Sequence, residues 1–133
     1  MRRMTGLILA ALAGTAAADD LSGADRLLCS TTQATACGMT AECATLPPAD
    51  LNIPQFVVVD VAGKELRTTA ASGEDRRTTV QTVRRDAGEI TLQGYEGGRA
   101  FSLVIQEASG QASFASAANG RAMLVFAACT PTK

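Results

Sequence analysis

Apolar and polar residues alternate along most of the chain after residue 55, with turn residues about every ten positions. The clearest example is RAFSLVIQE, in which Phe101, Leu103 and Ile105 share one face. A period of two is the pattern of a β-strand with one buried face. Asn119-Gly120 lies between two such runs and is a strong hairpin signal. This part of the sequence therefore predicts consecutive antiparallel strands.

The pattern predicts seven strands, joined by turns that contain glycine or polar residues. They cover residues 55–61, 64–70, 76–85, 89–95, 99–107, 111–117 and 121–129. Residues 25–36 are ambiguous between a short helix and a strand, and their Ser-Thr-Thr run favours an eighth strand. Residues 37–52 are predicted to be a loop, because Pro47, Pro48 and Pro54 disfavour regular structure nearby.

Seven or eight short strands predict an all-β antiparallel meander. A meander of that length must curl to bury one face and protect its edges. We therefore expect a small closed or nearly closed barrel stapled by disulfides, with a two-sheet sandwich as the alternative. Six inward side chains are expected to fill a narrow barrel. They are Phe101, Leu103, Ile105, Phe114, Met123 and Val125.

The first eighteen residues have the pattern of a secretory signal peptide. Arg2 and Arg3 precede the apolar run GLILAALAGTAAA, which ends in an A-x-A site at Ala16 and Ala18. This run is shorter than the roughly 20 residues of a membrane-spanning helix. We expect cleavage after Ala18, leaving a single domain over residues 19–133. The Ala- and Arg-rich, Lys-poor composition is typical of a high-GC bacterial genome, which favours the periplasm of a Gram-negative bacterium.

The four cysteines fit disulfides better than a metal or redox centre. The chain has no histidine and no C-x-x-C motif. An even number of cysteines in an oxidising compartment predicts disulfides. Three pairings are open from the sequence. We favour Cys37–Cys43, which closes the short loop GMTAE, together with Cys29–Cys129, which joins the first strand to the last.

The composition argues against catalysis and against nucleic-acid binding. Without histidine the chain lacks the commonest general base and the Ser-His-Asp and Cys-His arrangements. After loss of Arg2 and Arg3 the chain has 10 basic and 13 acidic residues, a formal net charge of −3. That balance gives no reason to expect nucleic acid as a partner. We expect no enzyme activity, no metal and no cofactor.

Two surface features are candidate partner-binding sites. Four arginines bracket one predicted Thr-rich strand: Arg76, Arg77, Arg84 and Arg85. They would form a basic strip for an acidic partner, or solvated charges that protect the strand from edge pairing. Tyr95 falls at a predicted turn, where an exposed ring would anchor a partner. The alternative is that this ring covers one end of the barrel.

Three segments carry a resemblance to known proteins: CSTTQATAC, LQGYEGGRAFSLVIQEASGQASF and VFAACTP. With them the chain resembles small periplasmic proteins of unknown function from Gram-negative bacteria, over about residues 29–131. The expected architecture is also similar to that of envelope inhibitors of C-type lysozyme, which are small exported antiparallel barrels tied by disulfides. Those inhibitors place Ser-Gly before a basic residue, whereas Ser109-Gly110 precedes Gln111 here.

We therefore expect a monomeric periplasmic binding or interaction protein without catalytic activity, whose partner is an unidentified envelope protein. One alternative is a carrier that holds a small apolar ligand inside a lipocalin-like barrel. Another is an envelope lysozyme inhibitor. A connected internal cavity larger than about 300 Å³ would favour the carrier, because small-ligand pockets begin at that size.

Overall fold

The computed structural model describes residues 20–133, and the predicted signal peptide lies outside them. Ten antiparallel strands form one sheet. The strands are β1 (Arg26–Gly38), β2 (Ala41–Leu46), β3 (Phe56–Asp60), β4 (Glu65–Thr68), β5 (Arg77–Thr79), β6 (Thr82–Asp86), β7 (Glu89–Glu96), β8 (Arg99–Gln106), β9 (Gln111–Ala118) and β10 (Arg121–Pro131). Two short 3-10 helices cover Pro48–Leu51 and Ala70–Ser72.

The strand order shows how the sheet curls. It runs β5-β4-β3-β1-β10-β9-β8-β7-β6, and β2 pairs with the second half of β1. The first and last strands are therefore neighbours at the centre of the sheet. The edge strands β5 and β6 are consecutive in the chain, so the sheet must bend round until its two edges approach each other. The result is a curled half-barrel.

The predicted all-β antiparallel meander is confirmed, but the predicted loop over residues 37–52 is wrong. This segment contains β2 and the helix Pro48–Leu51. A turn at Met39-Thr40 folds β2 back on β1, where Thr45 lies opposite Thr35 and their hydroxyl groups are 2.8 Å apart. The prolines that disfavour a strand begin only after β2 has ended.

The predicted single strand over residues 76–85 is also wrong, since β5 and β6 lie on opposite edges of the sheet. The break falls at Val80 and Gln81. The amide of Val80 donates to the carbonyl of Lys64 at 2.9 Å, and the amide of Gln81 donates to that of Gln93 at 2.9 Å. The Val80 side chain is buried in the core. The backbone thus leaves one edge and joins the other within two residues.

The predicted count of seven or eight strands is corrected to ten, and in place of the predicted closed or nearly closed barrel the structure has a curled half-barrel. Within residues 20–133 no ladder joins β5 to β6 or β7, so the sheet is not closed by backbone hydrogen bonds. The structure has one curled sheet, not the two packed sheets of a sandwich.

The core fills one end of the half-barrel, which we call the closed end. Its largest fully buried side chains are Leu21, Leu27, Val59, Val80, Ile90, Leu92 and Ile105. Leu21 precedes β1 and is held by its amide, which donates to the carbonyl of Glu107 at 2.8 Å. This leading segment closes the end of the half-barrel that carries the core.

Both disulfides have the pairing favoured from the sequence. Cys29 and Cys129 are directly opposite each other on β1 and β10, with Cα atoms 4.0 Å apart and both side chains buried. Cys37–Cys43 joins β1 to β2 across six positions. Disulfides of this kind are compatible with an oxidising, exported location.

Asp60 stabilises the turn between β3 and β4. Its Oδ1 accepts a 2.7 Å hydrogen bond from the amide of Gly63, and its Oδ2 lies 3.2 Å from Nη2 of Arg26. The Gly63 bond is the main cause that lowers the pKa of Asp60; burial opposes it, and Arg26 adds to it. The ionised carboxylate is therefore the form that the fold prefers.

We expect Asp60→Asn to lower the free energy of unfolding at pH 7 by about 1 kcal/mol. Because the folded pKa is depressed, this contribution is present above the unfolded pKa of about 3.9 and is lost as the pH falls through the folded value. Urea unfolding of both proteins should show their difference shrinking below about pH 4. Asp50→Asn is the control, since Asp50 is exposed and makes no side-chain hydrogen bond within residues 20–133. An unchanged difference at low pH would contradict this account.

Candidate functional site

A cavity of about 610 Å³ occupies the other half of the half-barrel and opens to solvent. The prediction that side chains fill the interior is therefore wrong. The reason is a row of small inward residues across three neighbouring strands, Thr31 on β1, Ala127 on β10 and Ala112 on β9. All three line the cavity.

The walls of the cavity are mainly apolar. The inward positions of β3, β4, β8, β9 and β10 provide most of the lining. Its apolar members include Val57, Val59, Leu66, Phe101, Leu103, Phe114, Met123 and Val125. The rings of Phe101 and Phe114 are stacked, with centroids 5.7 Å apart. Cys29, which is bonded to Cys129, also lines the cavity.

Gly94 allows the Phe101 ring to occupy this wall. The two residues are cross-strand partners on β7 and β8. A Cβ atom at Gly94 would lie 2.6 Å from Cε1 of Phe101 and 2.5 Å from Oε1 of Gln81. The absence of a side chain at this glycine therefore leaves the space that the Phe101 ring occupies in the cavity wall.

Residues 51–54 form one side of the cavity mouth and begin at the last residue of the helix Pro48–Leu51. The hydroxyl of Thr31 donates to the carbonyl of Pro54 at 2.9 Å. Nη1 of Arg76 donates to the carbonyl of Asn52 at 2.9 Å, while its Nη2 pairs with Glu74 at 2.6 Å. The mouth segment is thus held from β1 and from the residue just before β5.

Side chains bridge the seam between β5 and the free end of β7. The hydroxyl of Thr78 donates to Oε2 of Glu96 at 2.7 Å. The Gln81 amide accepts from the backbone N–H of Tyr95 at 2.8 Å and donates to the backbone carbonyl of the same residue at 3.3 Å. Gln81 therefore takes the place of a strand beside Tyr95, and the wall of the cavity is continuous there.

The structure does not bring the four predicted arginines together in one strip. Strand alternation places Arg84 on the outer face, where it pairs with Asp86. Arg77 on β5 pairs with Asp75 and Glu65 and lies at the rim of the cavity. Hydrogen bonding to Asp75 raises the pKa of Arg77 above its usual value. Arg76 lies at the cavity mouth. Whether any of them binds a partner stays a prediction.

Arg85 lies at the closed end, where it joins three elements. Its Nη2 donates to the carbonyl of Ala24, and its Nη1 is 3.5 Å from the carboxylate of Asp25. Its Nε lies 2.6 Å from Oε1 of Glu107, a close ion contact without the geometry of a hydrogen bond. These contacts give Arg85 a structural role.

Tyr95 is 63% exposed and lies near the end of β7. Strand alternation places its side chain on the outer face, and it is not among the residues that line the cavity. The outer face also exposes Phe56, Leu124 and Phe126. An exposed anchoring role for Tyr95 in partner binding stays a prediction.

The sequence reasoning missed two parts of the site, Arg99 and the mouth segment 51–54. Both line the cavity. Arg99 had a usable signal, since it is two residues before Phe101 in the best alternating strand and therefore shares the inward face. The mouth segment had none, because its position depends on long-range hydrogen bonds to Thr31 and Arg76.

Within residues 20–133, no helix is long and apolar enough to cross a membrane. The same part of the chain contains no group of three or more His, Cys, Asp or Glu side chains placed to hold a metal ion. Comparison with protein-family models, with curated proteins and with solved structures finds no match to this chain.

Proposed function

We propose that the protein binds a small, largely apolar molecule in the cavity of its half-barrel. The observation that supports this most strongly is the cavity itself, which has a volume of about 610 Å³ and a mainly apolar wall. Small-ligand sites in proteins have volumes of about 300–1,000 Å³ and are lined mostly by hydrophobic and aromatic side chains. The carrier alternative therefore becomes the leading hypothesis.

The arrangement of the core supports the same proposal. The tightly packed residues of the closed end stabilise the fold, and the core residues Cys29, Val59 and Leu103 also form part of the cavity wall. A site of this kind is formed before the ligand arrives, since its walls are sheet strands. Preorganised walls lower the entropic cost of binding.

A fluorescence titration with the neutral apolar probe N-phenyl-1-naphthylamine tests the proposal. We expect saturable binding to the protein of residues 19–133, with one site per chain. We expect Ala127→Phe to weaken binding at least tenfold. The added ring would exclude a part of the probe equal to about two methylene groups, whose burial contributes about 1.6 kcal/mol. The matched control is Ala128→Phe, since Ala128 is the next residue of β10 and is exposed on the outer face.

Two outcomes would overturn the carrier proposal: no saturable binding by the folded protein, or equal binding by both phenylalanine variants. Circular dichroism establishes that each variant is folded. The second candidate function, binding of a partner protein, would then take the lead. The observation that favours it is the exposed outer-face side chains Phe56, Leu124 and Phe126.

A further inference from the structure

Arg99 is the one arginine of the cavity lining that makes no ion pair with another residue of the described range 20–133. The lining contains Arg67, Arg76, Arg77 and Arg99. The first three each pair with a carboxylate of residues 65–75. Arg99 makes no ion pair with any carboxylate of residues 20–133. Its guanidinium thus keeps all of its donors available at the mouth of an apolar cavity.

The nearest candidate partner in the ladder is occupied elsewhere. Glu96 is the cross-strand partner of Arg99 on β7. Its carboxylate instead accepts the hydrogen bond of Thr78 across the seam. Strand alternation puts Arg99 on the inward face, two positions from Phe101 and four from Leu103. Arg99 therefore places a cation that has no ion pair within residues 20–133 at the start of an apolar wall.

We propose that the cavity binds a single-chain amphiphile with a carboxylate headgroup, which pairs with Arg99 while the chain lies against the apolar wall. This proposal rests on the proposed ligand-binding function. A guanidinium and a carboxylate match as a bidentate pair. A single guanidinium without an ion pair suits one negative charge, and the adjacent Glu96 would repel a doubly charged phosphate more strongly than a singly charged carboxylate.

The dimensions of the wall set the length of the chain. Leu103 lies four residues after Arg99, a distance of about 14 Å along β8. Because strands are tilted against the axis of a barrel, this corresponds to about 11 Å along the axis of the half-barrel. An extended chain advances about 1.2 Å per bond, so the wall accommodates about eight to ten carbons. Decanoate is therefore the probe of choice, with hexanoate as the short homologue.

Displacement of bound N-phenyl-1-naphthylamine measures the affinities. We expect each methylene between hexanoate and decanoate to strengthen binding about fourfold. We expect decanoate to bind at least tenfold more tightly than 1-decanol, since the alcohol lacks a charge-assisted pair with Arg99. Arg99→Gln should remove this preference and leave 1-decanol binding unchanged.

Arg121→Gln is the matched control. Arg121 is exposed on β10, makes no ion pair within residues 20–133 and does not line the cavity, yet the substitution changes the net charge equally. It should leave decanoate binding unchanged. A loss at both positions would assign the effect to net charge and overturn the role of Arg99.

The remaining outcomes separate the two proposals. If 1-decanol binds as tightly as decanoate, or if Arg99→Gln leaves decanoate binding unchanged, headgroup recognition by Arg99 is wrong while the cavity remains a ligand site. If the apolar probe itself fails to bind, the proposed function fails and this inference fails with it.

Discussion

Removal of the Cys29–Cys129 disulfide is expected to lower the free energy of unfolding by about 4–5 kcal/mol. The bond closes a loop of 100 positions, and the chain-entropy account assigns the largest effect to the longest loop. The double variant Cys29→Ala/Cys129→Ala also loses packing, since both residues are buried. Urea unfolding followed by circular dichroism measures the change.

The control is removal of the other disulfide. Cys37–Cys43 closes a loop of only six positions, for which the same account gives about 2 kcal/mol. Its residues are also more exposed. We therefore expect Cys37→Ala/Cys43→Ala to be clearly the more stable of the two variants. Equal losses would show that loop length does not determine what these disulfides contribute.

The strands after residue 86 were predictable because each carries a complete local signal. On β8, Phe101, Leu103 and Ile105 alternate with more exposed positions. Glycines with positive φ, such as Gly98 and Gly120, lie in the turns that connect the hairpin strands. A period of two and a turn residue are properties of a few consecutive residues. They fix strand and hairpin without knowledge of the rest of the chain.

The break at Val80-Gln81 and the strand β2 depend on distant residues instead. Gln81 lies within a run of Thr and Val that has high strand propensity, and β6 separates from β5 where Val80 bonds to Lys64 and Gln81 bonds to Gln93. Within the part of the chain that the structure describes, β2 pairs with β1 alone. Propensity describes each residue's own preference, so it misses a change of partner inside a favourable run.

The cavity was missed for a related reason. Counting the large inward residues predicts a filled interior, but the row Thr31, Ala127 and Ala112 leaves space on one side of the half-barrel. Ala112 and Ala127 face each other across the β9–β10 hairpin, but Thr31 comes from a distant segment of the chain. Thr31 completes the row only once β1 pairs with β10. The sequence predicted that pairing through the expected Cys29–Cys129 bond, but it did not predict which residues lie opposite each other.

Gly110→Ala is expected to lower the free energy of unfolding by about 2–4 kcal/mol, through two separate causes. Gly110 has φ +70°, a left-handed conformation that alanine adopts only with strain. Its added Cβ would also overlap the backbone carbonyl oxygen of Cys129 and lie 3.2 Å from the carbonyl carbon. Backbone atoms cannot turn aside as a flexible side chain can.

Gly88→Ala separates the two causes, because Gly88 has a similar φ of +79° and no atom within 4 Å of an added Cβ. This control should lose only about 1 kcal/mol, the cost of the left-handed backbone. The turn at Gly110 is hydrogen-bonded to β10, since its carbonyl accepts from the amide of Cys129 at 2.7 Å. Displacing it therefore disturbs the same position that anchors the long disulfide. Urea unfolding curves that coincide for the two variants would show that the close approach to Cys129 does not contribute.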